Sequence, residues 1–127
     1  MSSVMPSLSE RDPRLYVEDM LEFCGRALAY ADGVSRESLD ADRMRYDAIL
    51  RNLELIGEAA THVDAQGRAL APQIPWREVI ATRNRVAHAY LGIDADTVWS
   101  ILHDDLPTLR LSLTALLKAM PPSPPVA

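Results

Sequence analysis

Between residues 13 and 118 apolar side chains recur at steps of three and four, and no stretch alternates apolar with polar residues as a strand does. A first stripe, Tyr16, Met20, Phe23, Cys24, Ala27 and Ala31, follows Asp12-Pro13, a capping residue and a proline suited to the first helical turn. Gly33 marks its end. The second and longest helix is predicted to open near Ser35 or Ser38. Its seam runs through Tyr46, Ile49, Leu50, Leu53, Ile56, Gly57, Ala60 and Val63. The stretch DAQGRALAPQIP then reads as a loop, because Gly67, Pro72 and Pro75 break helix on both sides. A third helix starts at Pro75 or Trp76 and carries RNRVAHAY (83–90) at its C-terminal end, with Gly92 as its stop. The fourth begins after Asp94 and shows Val98, Ile101, Leu102, Leu106, Leu109, Leu113, Leu116 and Leu117. Pro107 kinks it or divides it in two. The pattern predicts an all-α fold, an antiparallel bundle of four to five helices. Its helical domain spans residues 12–120, between a flexible N-terminus at 1–11 and a flexible Pro-rich tail at 121–127.

Composition narrows the class. A chain of 127 residues with 48% hydrophobic and 24% charged residues is one ordinary globular domain. A single cysteine, Cys24, excludes an internal disulfide framework, and its place on an apolar stripe reads as a small buried hydrophobe. No stretch approaches the roughly 20 apolar residues of a membrane span, and the N-terminus lacks the layout of a signal peptide. The expectation is a cytoplasmic protein with no membrane partner. The net charge of −5 argues against wholesale coating of nucleic acid. Yet from Ala65 to Ile93 the charged residues are Arg68, Arg77, Arg83 and Arg85 against Glu78 alone, a local balance of +3. Such a patch suits an anionic ligand held at one site, or is a solvated face.

The octapeptide within that patch carries the candidate chemistry. At about 100° per residue, Arg83 and Tyr90 fall on nearly the same helix face, and Asn84 stacks one turn from His88. His88 stands about 140° around from Arg83 in a regular helix. The two converge if the helix ends near His88, or if a second copy is supplied by a neighbouring chain. RNA cleavage without metal needs little more than these residue types. The ribose 2′-OH is the nucleophile, so the protein supplies a base, an acid and positive charge on the phosphorane. Histidine serves in either proton role near neutrality, and arginine matches phosphate oxygens. One octapeptide holds one histidine, so acid and base together call for two copies, as a symmetric dimer provides. The competing reading is structural. Arg and His near a helix C-terminus are favoured by the macrodipole, and a Tyr there is often a half-buried wedge.

The motif R-N-x-x-x-H-x-Y near a helix end, in an all-helical chain, resembles the HEPN superfamily and, more narrowly, its HepT-like toxins. Arg83, His88 and Tyr90 match the signature of Arg, four residues, His, one residue, Tyr. YDAILRNLELIGEAA (46–60), IPWREVIATRNRVAHAY (74–90) and DTVWSILHDDLPTL (96–109) resemble further segments of that family in the same order. Ala81-Thr82 stands where many relatives carry a glycine before the Arg-Asn pair. The resemblance implies a homodimeric or higher even-numbered, metal-independent endoribonuclease toxin with an RNA substrate and no cofactor. It also implies a minimal nucleotidyltransferase antitoxin (MntA-like) that neutralises the toxin by AMP transfer to the motif tyrosine. On that basis Arg83 is the phosphate clamp, His88 the acid/base, Asn84 a weaker catalytic member and Tyr90 the AMPylation site. The alternative is a catalytically inactive HEPN dimer acting as a scaffold for the same partner.

Other polar residues read as structure. His62 and His103 are expected on solvated helix faces or ends, and Asp94, Asp96, Asp104 and Asp105 as caps and surface charge with no metal-ligand spacing. Trp76 and Trp99 are expected in the core or at a dimer contact, with Trp76 also placed to stack on a base. Glu58 lies on a mostly apolar seam, with Arg51 or Arg83 as its expected partner.

Overall fold

The structure is a computed structural model, and it describes residues 11–87 and 94–122, Ala87 by its backbone alone. Among these the fold is all-α. Helix α1 (Pro13–Ala31) is capped by Asp12, whose carboxylate accepts from the Arg14 N–H, and it ends at Asp32 ahead of Gly33, whose φ of 75° is open to glycine. Helix α2 spans Arg43–Thr61 and α3 spans Ala65–Ala69. Helix α4 (Trp76–Ala87) starts where Pro75 predicts. Helix α5 (Ala95–Ser100) runs through a π-turn (Ile101–Asp105) into α6 (Leu106–Ala119). Met20, Leu39, Ile49, Leu53, Leu102, Leu113 and Leu116 lie wholly inside, each contributing about 2 kcal/mol of transfer free energy. The packing is antiparallel. The Arg14 guanidinium at the start of α1 donates to the Leu117 carbonyl near the end of α6, and the Tyr16 ring stacks on His62 at the end of α2. No helix of the described residues is long and apolar enough to cross a membrane.

Two boundaries differ from expectation. Helix α2 opens at Arg43, not at Ser35 or Ser38, because those serines bond each other through turns while Asp42 caps the helix by accepting from the Arg45 N–H. Leu39, fully buried, anchors the turns between them. The predicted loop after α2 contains α3, capped by the Asp64 carboxylate on the Gly67 N–H at 2.8 Å. Pro107 divides the last helix into α5 and α6, as expected, and the division takes the form of the π-turn. It has no N–H, and its ring would press on the carbonyl four residues back. The turn ahead of it widens instead, so that the Leu106 N–H reaches the Ile101 carbonyl.

Candidate functional site

Helix α4 presents Trp76, Val79, Ile80, Arg83 and Val86 toward the bundle, since these positions share one face at about 100° per residue. Trp76 is buried and donates its indole N–H to the Ala71 carbonyl at 3.1 Å, so its role is in the core and the base-stacking expectation is withdrawn. Arg83 is thus a charged residue on an apolar face, and α2 resolves the conflict. Gly57 stands opposite it: a Cβ on Gly57 would lie 2.6 Å from the Arg83 Cβ and 3.0 Å from the Val79 carbonyl oxygen. The absent side chain lets α4 seat against α2, and the guanidinium runs out past it. At its tip, Arg83 donates from Nη1 to Oε2 of Glu58, the next residue of α2, at 2.8 Å. The other Glu58 oxygen stands 3.6 Å from His62 Nε2.

Around that pair lies a depression of about 460 Å³ lined by Arg51, Glu54, Leu55, Glu58, Arg83 and Asn84. Arg83 and Asn84 therefore meet in one place, as their adjacency predicts. His88 and Tyr90 lie outside the described residues, as does Gly92. Arg51 pairs with Glu54, which leaves Arg83 as the expected partner of Glu58 that the structure selects. With side chains 31% and 50% exposed, the Arg83–Glu58 pair contributes only about 0–1 kcal/mol to stability after solvent screening. Its value lies in fixing where a long side chain points.

The four arginines of the 65–93 segment do not act as one patch. Arg68 donates to the Val63 and Ala60 carbonyls at 2.8 and 3.2 Å and covers the Trp76 ring, closing the C-terminal end of α2. Arg77 and Arg85 are exposed, and Arg83 is paired. A second depression, about 410 Å³, has Leu53, Ile56, Val79 and Leu109 in its lining with Glu78, Asp104 and Asp105. None of its lining residues is basic, and burial with the neighbouring Asp104 pushes the Asp105 carboxyl up. That lining is unfavourable for a polyanion, whereas the Arg83 depression sets two arginines beside Glu54 and Glu58 and is the candidate site among the described residues.

The remaining polar residues have structural work. Asp94 caps α5 through the Thr97 N–H at 2.8 Å, and that bond holds its carboxyl below the usual range. His62 stands at a helix end as expected, half-buried at the α2 terminus with its ring 4.9 Å from Tyr16. His103 is exposed as expected, with its ring stacked on Trp99 at 3.7 Å. Cys24 is fully buried, and desolvation pushes its thiol up to about 12. Sequence reasoning counted Gly57 as one more member of a seam. The signal for its role was present, because glycine inside a long helix is costly unless another backbone must approach.

With this geometry in place, comparison with known proteins assigns the class. Residues 20–116 match the HepT-like ribonuclease family, and the chain belongs to it. It is 31% identical over 109 residues to a protein of Thermococcus cleftensis named probable ribonuclease HepT, covering 86% of this chain and 99% of that one. A Methanocaldococcus jannaschii protein, provisionally named an RNase, is 30% identical over 103 residues, 81% of this chain and 94% of its own. A Caldanaerobacter subterraneus protein with the same provisional naming is 28% identical over 108 residues, 85% and 96% of the two chains. No solved structure matches at a significant level.

Proposed function

We propose that this chain is the toxin component of a toxin–antitoxin pair, an endoribonuclease that cleaves RNA by 2′-OH transesterification without metal. The observation that carries the reading is Arg83. A permanently charged group is held at the mouth of a depression beside Asn84, five residues before His88, in a HepT-like chain. Arg83 would bind the scissile phosphate and the charge that develops on the phosphorane. His88 would exchange the protons of the 2′ and 5′ oxygens, Asn84 would orient the phosphate, and a dimer would bring two copies together. Tyr90, seven residues from Arg83, is the proposed acceptor of AMP from a nucleotidyltransferase antitoxin. A bulky anion there competes with RNA for the same arginine.

The chemistry has a product signature. Cleavage should proceed in EDTA and leave a cyclic phosphate, while DNA, or RNA with a 2′-methoxy group at the cut, should be inert. Products bearing a 5′-phosphate, or activity restored only by added metal, would contradict it. In the same system, partner and ATP should add AMP mass to the peptide that contains Tyr90, and Tyr90→Phe should block the addition while keeping most of the cleavage. AMP mapped to Tyr16, Tyr30 or Tyr46 would return Tyr90 to a packing role.

A further inference from the structure

We propose that Gly57 and Glu58 form a seat that positions Arg83 for catalysis, with Glu58 as the positioning residue; this rests on the nuclease reading of the site. Two consecutive residues of α2 act on one side chain in complementary ways. Gly57 sets the backbone distance, because any Cβ there would meet the Arg83 Cβ at 2.6 Å. Glu58 sets the direction, taking the Nη1 donor at 2.8 Å. Among the described residues Glu58 is the one polar partner of the Arg83 side chain. A guanidinium carries five N–H donors in a rigid planar fork, so one edge on Glu58 leaves the others for phosphate oxygens. His62, whose ring stacks on Tyr16, places Nε2 3.6 Å from the other Glu58 oxygen.

A carboxylate beside a phosphate-binding arginine opposes substrate binding by repulsion, so the seat has a kinetic signature with two opposite signs. Glu58→Gln keeps the shape and removes the charge. The amide oxygen still accepts but without charge, so Arg83 is aimed less firmly and kcat on a short RNA should fall by about 10-fold or more, as small misplacements of reacting groups do. Removal of a negative charge from the RNA path should leave KM unchanged or lower it. A purely structural loss would lower the melting temperature and the active fraction together, with no gain in binding. Glu58→Asp, which keeps the charge on a shorter arm, should recover part of kcat.

The direct test pairs this kinetic split with nitrogen-15 NMR of the Arg83 guanidinium in the full chain, assigned by its loss in Arg83→Lys. In the wild type its Nη protons should be resolved by hindered rotation, and in Glu58→Gln they should collapse to one averaged signal. Unchanged Arg83 signals in Glu58→Gln, or a kcat equal to or above wild type, would overturn the seat. If the wild type cuts no RNA while the Arg83 signals respond as expected, the seat stands and the nuclease reading fails.

Discussion

Single residues here are decided by what stands next to them more than by their type. Cys24 is the only thiol in the chain, and burial rather than any partner sets its behaviour. Its folded value of about 12 lies above the ordinary 9.0, so the neutral thiol favours the folded state. That contribution is fully present below pH 9.0 and is lost as pH rises toward about 12. Iodoacetamide at pH 8 should therefore leave Cys24 unmodified in the folded protein and label it on unfolding. Stability measured by urea titration should decline across that alkaline window, and the decline should be smaller in Cys24→Ala. Rapid labelling of the native protein would show that α1 opens far more readily than its packing allows.

At the scale of elements, Gly57 sets the α2–α4 contact, and magnitudes predict the sign of its replacement. Ala in a helix interior gains up to about 1 kcal/mol over Gly by propensity. Overpacking against backbone costs about 1–3 kcal/mol, and the Val79 carbonyl at 3.0 Å cannot rotate away as a side chain can. Gly57→Ala should thus lower the melting temperature despite its better propensity; a rise would mean that the two helices are not in that contact. Much of this level was legible in the sequence. The stripes of α1, α2 and α6 and the caps Asp12 and Asp94 follow from spacing and side-chain chemistry. The start of α2 was not, since Ser35, Ser38 and Asp42 are all good caps, and the mutual bonds that hold the two serines in turns before Asp42 do not show in the spacing. The π-turn was half legible: Pro107 announces an interruption, while its form depends on how Leu102 and Leu106 pack. At the candidate site, the shared position of Arg83 and Asn84 was legible from their adjacency in the motif. The Gly57 contact and the choice of Arg83 over Arg51 by Glu58 depend on which helices cross, which periodicity leaves open.

For the whole molecule, an acidic chain with a net charge of −5 is proposed to bind a polyanion, so attraction must be confined to a small area. The second depression holds Glu78, Asp104 and Asp105 with no basic lining residue, so the proposed place for RNA is the mouth at Arg83 and Asn84. One copy of the motif holds Arg83, the proposed clamp, and a single histidine, and the proposed mechanism joins copies across a dimer axis. The most direct measurement is cleavage of a short RNA in EDTA by Arg83→Ala, by His88→Ala, and by the two refolded together. Each variant alone should be inactive yet folded, since removal of a half-exposed side chain such as Arg83 costs about 1 kcal/mol or less. The mixture should recover part of the wild-type rate, because a heterodimer restores one arginine and one histidine at a shared site. No recovery in the mixture would mean that the site needs both histidines or that each chain holds a complete site. Wild-type cleavage by either variant alone would contradict the account.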